Sequence, residues 1–168
     1  MDDMGSKWDS TLYERKHSPE AAVKSIYLAL RSGGRFVAEF GGKGNNASML
    51  RALRSSFRSQ GYERNAKINF WYYPSIAEYS ILLERHGFYV RKALHFHRET
   101  ELDGPEGMRN WFRMFGNQFF AGLSDSEMDA VLTDVENQLR PTHFRNGRWY
   151  ADYKRIRIVA TKDDGEFA

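Results

Sequence analysis

Apolar residues return at helical spacing in several separate stretches of the chain, and short, mostly apolar runs bounded by glycines lie between them. The first helical set is Ala22, Val23, Ile26, Tyr27 and Leu30. Ser18-Pro19-Glu20 precedes it, supplying a capping side chain, a proline whose missing N–H is harmless at the first position, and an acid at the positive end of the dipole. Ser32-Gly33-Gly34 stops it. The run Arg35 to Phe40 then reads as a buried strand, and its near-continuous apolar character suits a parallel one. Gly41-Gly42-Lys43-Gly44-Asn45-Asn46 reads as a flexible loop whose Asn45 or Asn46 caps a helix carrying Met49, Leu50, Leu53 and Phe57 on one side. A Trp-Tyr-Tyr-Pro segment, Trp71 to Pro74, leads to a second capped helix from Ser75 to His86, closed by Gly87. A strand from Phe88 to about His97 follows.

From Gly104 to Arg140 the pattern predicts two helices with no strand between them. Met108, Trp111, Phe112, Phe115 and Phe119 form the apolar stripe of the first. Ser124-Asp125-Ser126-Glu127 is a capping box for the second, which carries Met128, Val131, Leu132, Val135 and Leu139. Pro141 is expected just past its end, with His143 in the loop beyond. Trp149 to Ala160 alternates as a long final strand, and the residues from Lys162 read as a frayed tail. Helices and strands in this rhythm predict an α/β fold, without internal repeats or low-complexity tracts.

Composition narrows the chemistry. At 168 residues the chain is the size of one ordinary domain and should bury roughly 70% of its unfolded surface. The absence of cysteine excludes disulfides, thiolate zinc sites and a cysteine nucleophile. No apolar run reaches the length of a membrane span and no signal peptide opens the chain, so a cytoplasmic location without membrane contact is expected. The net charge of +3 is modest. Cations gather at Arg51, Arg54, Arg58, Arg64 and Lys67 and again at Lys154, Arg155 and Arg157, which reads first as solvated surface and second as a phosphate-facing patch.

Histidines offer little. His95-x-His97 places two imidazoles on one face of a strand, a metal pair in principle, but two ligands without a neighbouring acid read better as a polar strand face, and no metal site is expected. His86 sits at a helix C-terminus, where a cation is favoured.

The order and wording of these segments resemble class I, Rossmann-like S-adenosylmethionine-dependent methyltransferases, of the small-molecule type similar to trans-aconitate methyltransferases. The stretch PEAAVKSIYLALRSGGRFVAEFGGKG resembles that family's helix before strand five and strand five itself. WYYPSIAEYSILLERHGFYV resembles the next helix and strand six, and WYADYKRIRIVATK resembles strand seven, which runs antiparallel between five and six. KWDSTLYERKHS resembles the family's N-terminal segment, where a tryptophan and a tyrosine lie over the cofactor. The resemblance implies the C-terminal half of the fold: a three-stranded mixed sheet in the order 6-7-5 with helices and a helical insertion between the last two strands. It divides the chain into an N-terminal segment (1–18), a half-domain (19–162, with the insertion at 103–141) and a tail (163–168).

The segment carrying strands one to four has no counterpart, since His17-Ser18 runs straight into Pro19-Glu20. With it go the glycine-rich turn after strand one, the acid that binds the ribose hydroxyls and the acid beside the adenine. Gly41-Gly42-Lys43-Gly44 follows a strand but lacks both the spacing and the Lys-Ser/Thr ending of a phosphate loop. The resemblance therefore implies S-adenosylmethionine as cofactor, not bound by this chain, with Trp8, Tyr13, Phe40 and Gly41 as vestigial contacts. In the family the insertion covers the substrate, so Lys43, Arg109, Trp111, Phe112 and Phe115 are the expected substrate-side residues, with catalytic residues unassigned; core packing is the other role open to the aromatic stripe.

Without strand four, the strand from Arg35 to Phe40 becomes an edge, and a homodimer pairing two such edges is the expected assembly. Four functions are open: a methyltransferase-family protein inactive alone, a small-ligand-binding module built from the half-domain, a methyltransferase with an unusual cofactor site, and, least favoured, a nucleic-acid binder using Arg51, Arg54 and Arg58.

Overall fold

A computed structural model describes residues 18–163. Its elements, in chain order, are helix α1 (Pro19–Ala29), strand β1 (Arg35–Gly41), helices α2 (Ala47–Ser59), α3 (Glu63–Ala66) and α4 (Ile76–Arg85), strand β2 (Phe88–Leu102), helix α5 (Gly107–Phe115), a 3-10 turn (Asn117–Phe120), helix α6 (Asp125–His143), and strands β3 (Phe144–Arg145) and β4 (Arg148–Lys162). The long strands are ordered β1-β4-β2, and the short β3 pairs antiparallel with β4. The Gly42 N–H donates to the Lys154 carbonyl at 2.8 Å and the Lys162 N–H to the Gly34 carbonyl at 2.8 Å, so numbering rises along β1 as it falls along β4. Tyr150 Oη donates to Glu101 at 3.3 Å, while the Asp163 N–H donates to the Gly87 carbonyl at 3.0 Å, which gives β2 and β4 the same opposed sense.

The sheet is thus antiparallel, and neither a parallel β1 nor a mixed sheet describes it. β1 reads as parallel because its run is apolar, but the neighbour that sets its direction is the C-terminal strand, over a hundred residues away. Other departures are local. β2 continues to Leu102, well past His97. α6 runs through Pro141 to His143, because a proline so close to the end of a helix forfeits only one backbone bond. His143 therefore belongs to a helix and is buried, at 9% exposed. Lys162 lies in β4 and not in a tail; residues 1–17, including Trp8 and Tyr13, and residues 164–168 fall outside the described chain.

The chain divides into two compact units. One takes in residues 18–39, Pro74–Leu94 and residues 157–163. Val23, Leu83, Phe88, Ile158 and Ala160 are buried in it, each large side chain contributing about 1.5–3 kcal/mol. Tyr27 meets Phe88 edge-on at 5.4 Å. Ser18 caps α1 by accepting from the Ala21 N–H at 3.1 Å, and Ser75 and Glu78 form a full capping box on α4. No basic residue stands in the last turn of α1. The cation comes from β4 instead: Lys162 Nζ donates to the Tyr27 and Leu30 carbonyls at 2.9 and 2.8 Å, meeting the negative end of the helix dipole.

The other unit comprises Phe40–Tyr73 and His95–Ile156. Its core gathers Met49, Leu53 and Phe57 of α2, Met108 and Phe112 of α5, Val131, Leu132 and Val135 of α6, and Trp149 of β4. Several buried polar groups in it are paired, as burial demands. Ser56 Oγ donates to the Val131 carbonyl at 3.1 Å, tying α2 to α6, and Trp149 Nε1 donates to the Pro105 carbonyl at 2.9 Å. Ser124 and Glu127 form the capping box expected on α6. No helix among the described residues is long and apolar enough to cross a membrane.

Candidate functional site

The loop after β1 is packed solid. A Cβ on Gly41 would come within 2.5 Å of the Tyr73 ring, and one on Gly42 within 2.6 Å of Ile156 and 3.0 Å of the His95 ring. These glycines are therefore required by close approach of side chains. His95 Nε2 lies 3.0 Å from the Lys43 carbonyl, so its ring is engaged with that loop. Asn45 accepts from the Lys154 N–H at 2.8 Å, and Asn46 donates through Nδ2 to Tyr73 Oη at 3.2 Å. Burial pushes the Tyr73 hydroxyl up from its ordinary range, against opposing hydrogen bonds from Asn45 and Asn46.

Neither asparagine caps α2. Asn46 adopts a left-handed φ of 55° and makes no side-chain capping bond. The acceptor is Asp152 of β4, whose Oδ2 takes the Ser48 N–H at 2.8 Å. Burial raises the Asp152 carboxyl, but His143, the Ser48 N–H and the Ser48 hydroxyl outweigh it and leave the group below the usual carboxylate range. His143 Nε2 stands 3.9 Å from Asp152 Oδ1.

The substrate-side residues expected on α5 divide between two directions. Trp111 and Phe115 border an open hollow of about 630 Å³ that also takes in Leu102, Asp103, Asn110 and Met114. Met114 and Phe115 are 73% and 53% exposed there. Trp111 is anchored by donating from Nε1 to Tyr153 Oη at 2.6 Å and stands 5.6 Å from the Trp71 ring. Phe112 points the other way, fully buried in the core. Arg109 is bound to α6, donating to Asp129 Oδ1 at 3.1 Å, Thr133 Oγ1 at 2.9 Å and Glu136 Oε2 at 3.0 Å. Burial lowers its guanidinium pKa, yet Glu136 and Asp129 more than offset that, and the net shift is upward. The structure thus brings Trp111 and Phe115 to one hollow, places Phe112 in the core and Arg109 against α6, and keeps Lys43 in the loop after β1. Asn110 and Asp103, also on the hollow, carry no sequence signal beyond polarity.

The hollow has an apolar wall of Trp111, Met114 and Phe115 and a polar rim of Asn110, Asp103 and Arg113. Arg113 donates to Asp129 at 2.6 Å. Such a lining can hold and orient a small molecule. Among the described residues the loop after β1 makes no cofactor turn, because the space beside Gly41 and Gly42 is filled by the Tyr73 ring, Ile156 and the His95 ring.

A curated relative, an uncharacterised methyltransferase of the fission yeast Schizosaccharomyces pombe, is 31% identical over 144 residues, covering 84% of this chain and 54% of its own length. The resemblance is to methyltransferases. The chain spans about half the length of the relative it matches. Among solved structures it is similar to a candidate methyltransferase from Bacillus halodurans (15% identity, TM-score 0.47, 86% of this chain and 58% of that one) and to the YcgJ protein of Bacillus subtilis (14%, 0.47, 87% and 58%). It also resembles phosphoethanolamine N-methyltransferase 2 of Haemonchus contortus, solved with S-adenosylhomocysteine (16%, 0.37, 87% and 30%). No protein-family profile matches the chain.

Proposed function

We propose that this chain is the acceptor-side half of a class I S-adenosylmethionine-dependent methyltransferase and that it neither holds the cofactor nor transfers a methyl group alone. The observation that carries this reading is the filled loop after β1, taken with a relative matched over 84% of this chain but only 54% of its own length. β2, β4 and β1 correspond to strands six, seven and five of the family. Methyl transfer depends on aligning the acceptor with the sulfonium. The residues here contribute to that only on the acceptor side, through Trp111, Phe115 and Asn110. A calorimetric titration with S-adenosylhomocysteine tests the proposal.

A second reading, a dimeric small-ligand module, draws support from the exposed Met114 and Phe115 and from β1, which ends the strand order among the described residues. Pairing of two β1 edges would give the order β2-β4-β1-β1-β4-β2. Light scattering at tens of micromolar distinguishes this dimer from a monomer.

A further inference from the structure

α2 carries Arg51, Arg54 and Arg58 and no acid. Among the described residues no ion pair joins any of the three to a carboxylate. An open hollow of about 500 Å³ lies between the first half of α2 and the last turns of α6. Ser48, Arg51, Ser55, Gln138, Thr142 and His143 line it over an apolar floor, and no carboxylate is among its lining residues. The Arg51 guanidinium donates to Ser48 Oγ at 3.2 Å, a neutral partner that leaves its charge uncompensated.

Two acids lie against its lining residues. Asp134 Oδ2 accepts from Gln138 Nε2 at 3.0 Å. Asp152 spends Oδ2 on the Ser48 N–H, and its Oδ1 is buried without a hydrogen-bond partner, 3.9 Å from His143 Nε2. Thr142 Oγ1 lies 2.7 Å from His143 Nδ1 and fixes the other side of the ring. The Thr142 hydroxyl also donates to the Leu139 carbonyl at 3.3 Å, so the lining groups with hydrogens to spare are the Arg51 guanidinium, the Ser55 hydroxyl and the second hydrogen of the Gln138 amide, from two helices of one compact unit. A guanidinium with hydroxyl and amide donors beside it suits an oxyanion with several acceptor oxygens, such as a phosphate. A single phosphate fills only part of the volume, which leaves room for the group that carries it.

We infer that the hollow between α2 and the end of α6 binds a small phosphate-bearing molecule, with Arg51 as its ionic anchor and Ser55 and Gln138 as hydrogen-bond donors. This site is independent of the methyltransferase reading. Calorimetric titration of the full chain at low salt, with inorganic phosphate and separately with ribose 5-phosphate, tests it. Saturable binding of both is expected, tighter for the sugar phosphate. Arg51→Ala should weaken both at least about tenfold, while Arg58→Ala, which removes a cation of the same helix outside the hollow, should change them less than about twofold. Absence of saturation up to about 10 mM, or equal losses in the two variants, would overturn the inference. So would a DNA oligonucleotide preferred over ribose 5-phosphate and lost equally in both variants, which would assign the arginines of α2 to nucleic acid.

Discussion

Asp152 reaches from β4 to the first turn of α2, where the local sequence supplies no working cap, and replacing it measures what that reach contributes. Asp152→Ala removes the acceptor of the Ser48 N–H bond at 2.8 Å and the negative charge facing the helix dipole. A lost cap costs about 1 kcal/mol and the charge–dipole interaction up to about 1 kcal/mol more, so about 2 kcal/mol of stability should disappear at pH 7. For a chain of this length that is a fall in Tm of about 4 to 8 °C. Asp152→Asn keeps an acceptor oxygen and should lose only the charge contribution. The Asp152 carboxyl lies below its unfolded value of about 3.9, so its stabilisation is complete above that value and is lost as pH falls through the folded-state pKa. The gap between wild type and Asp152→Asn in urea unfolding should accordingly be open at pH 7 and close as the carboxyl protonates. A loss below about 0.5 kcal/mol for Asp152→Ala, or an Asp152→Asn gap that does not change with pH, would refute the capping argument.

Lys162→Met keeps the apolar stem but removes the two bonds to the Tyr27 and Leu30 carbonyls; a loss of about 1–2 kcal/mol in chemical denaturation is expected. Gly41→Ala drives a methyl to within 2.5 Å of the Tyr73 ring and should cost about 1–3 kcal/mol, with Tyr73→Ala in the same chain recovering part of it. Arg109→Lys should stabilise little better than Arg109→Ala, because an ammonium cannot reach Asp129, Thr133 and Glu136 together; thermal melts of the two variants that differ by the full effect would contradict this.

Legibility followed distance along the chain. The caps Ser18, Ser75 and Ser124 are three residues from the groups they serve, and the helices they start are evident from sequence. The caps supplied by Asp152 and Lys162 lie 104 and 132 or more residues from their helices, and nothing local announces them. The apolar run of β1 likewise does not announce its antiparallel neighbour β4, which only the family resemblance places beside it. Asn46 looked like a cap, yet its side chain turned to Tyr73 instead. In the candidate site, the aromatic stripe of α5 was plain, but a stripe does not say which rings face outward. Trp111 and Phe115 border the hollow, and Phe112, one residue from Trp111, belongs to the core. Arg109 looked available until its three partners on α6 came into view.

The proposed acceptor-side half should have no place for the cofactor. Calorimetric titration of the full chain with S-adenosylhomocysteine tests it most directly. No saturable heat is expected up to about 1 mM ligand, whereas a dissociation constant of about 10 µM or tighter, at one ligand per chain, would contradict the proposal.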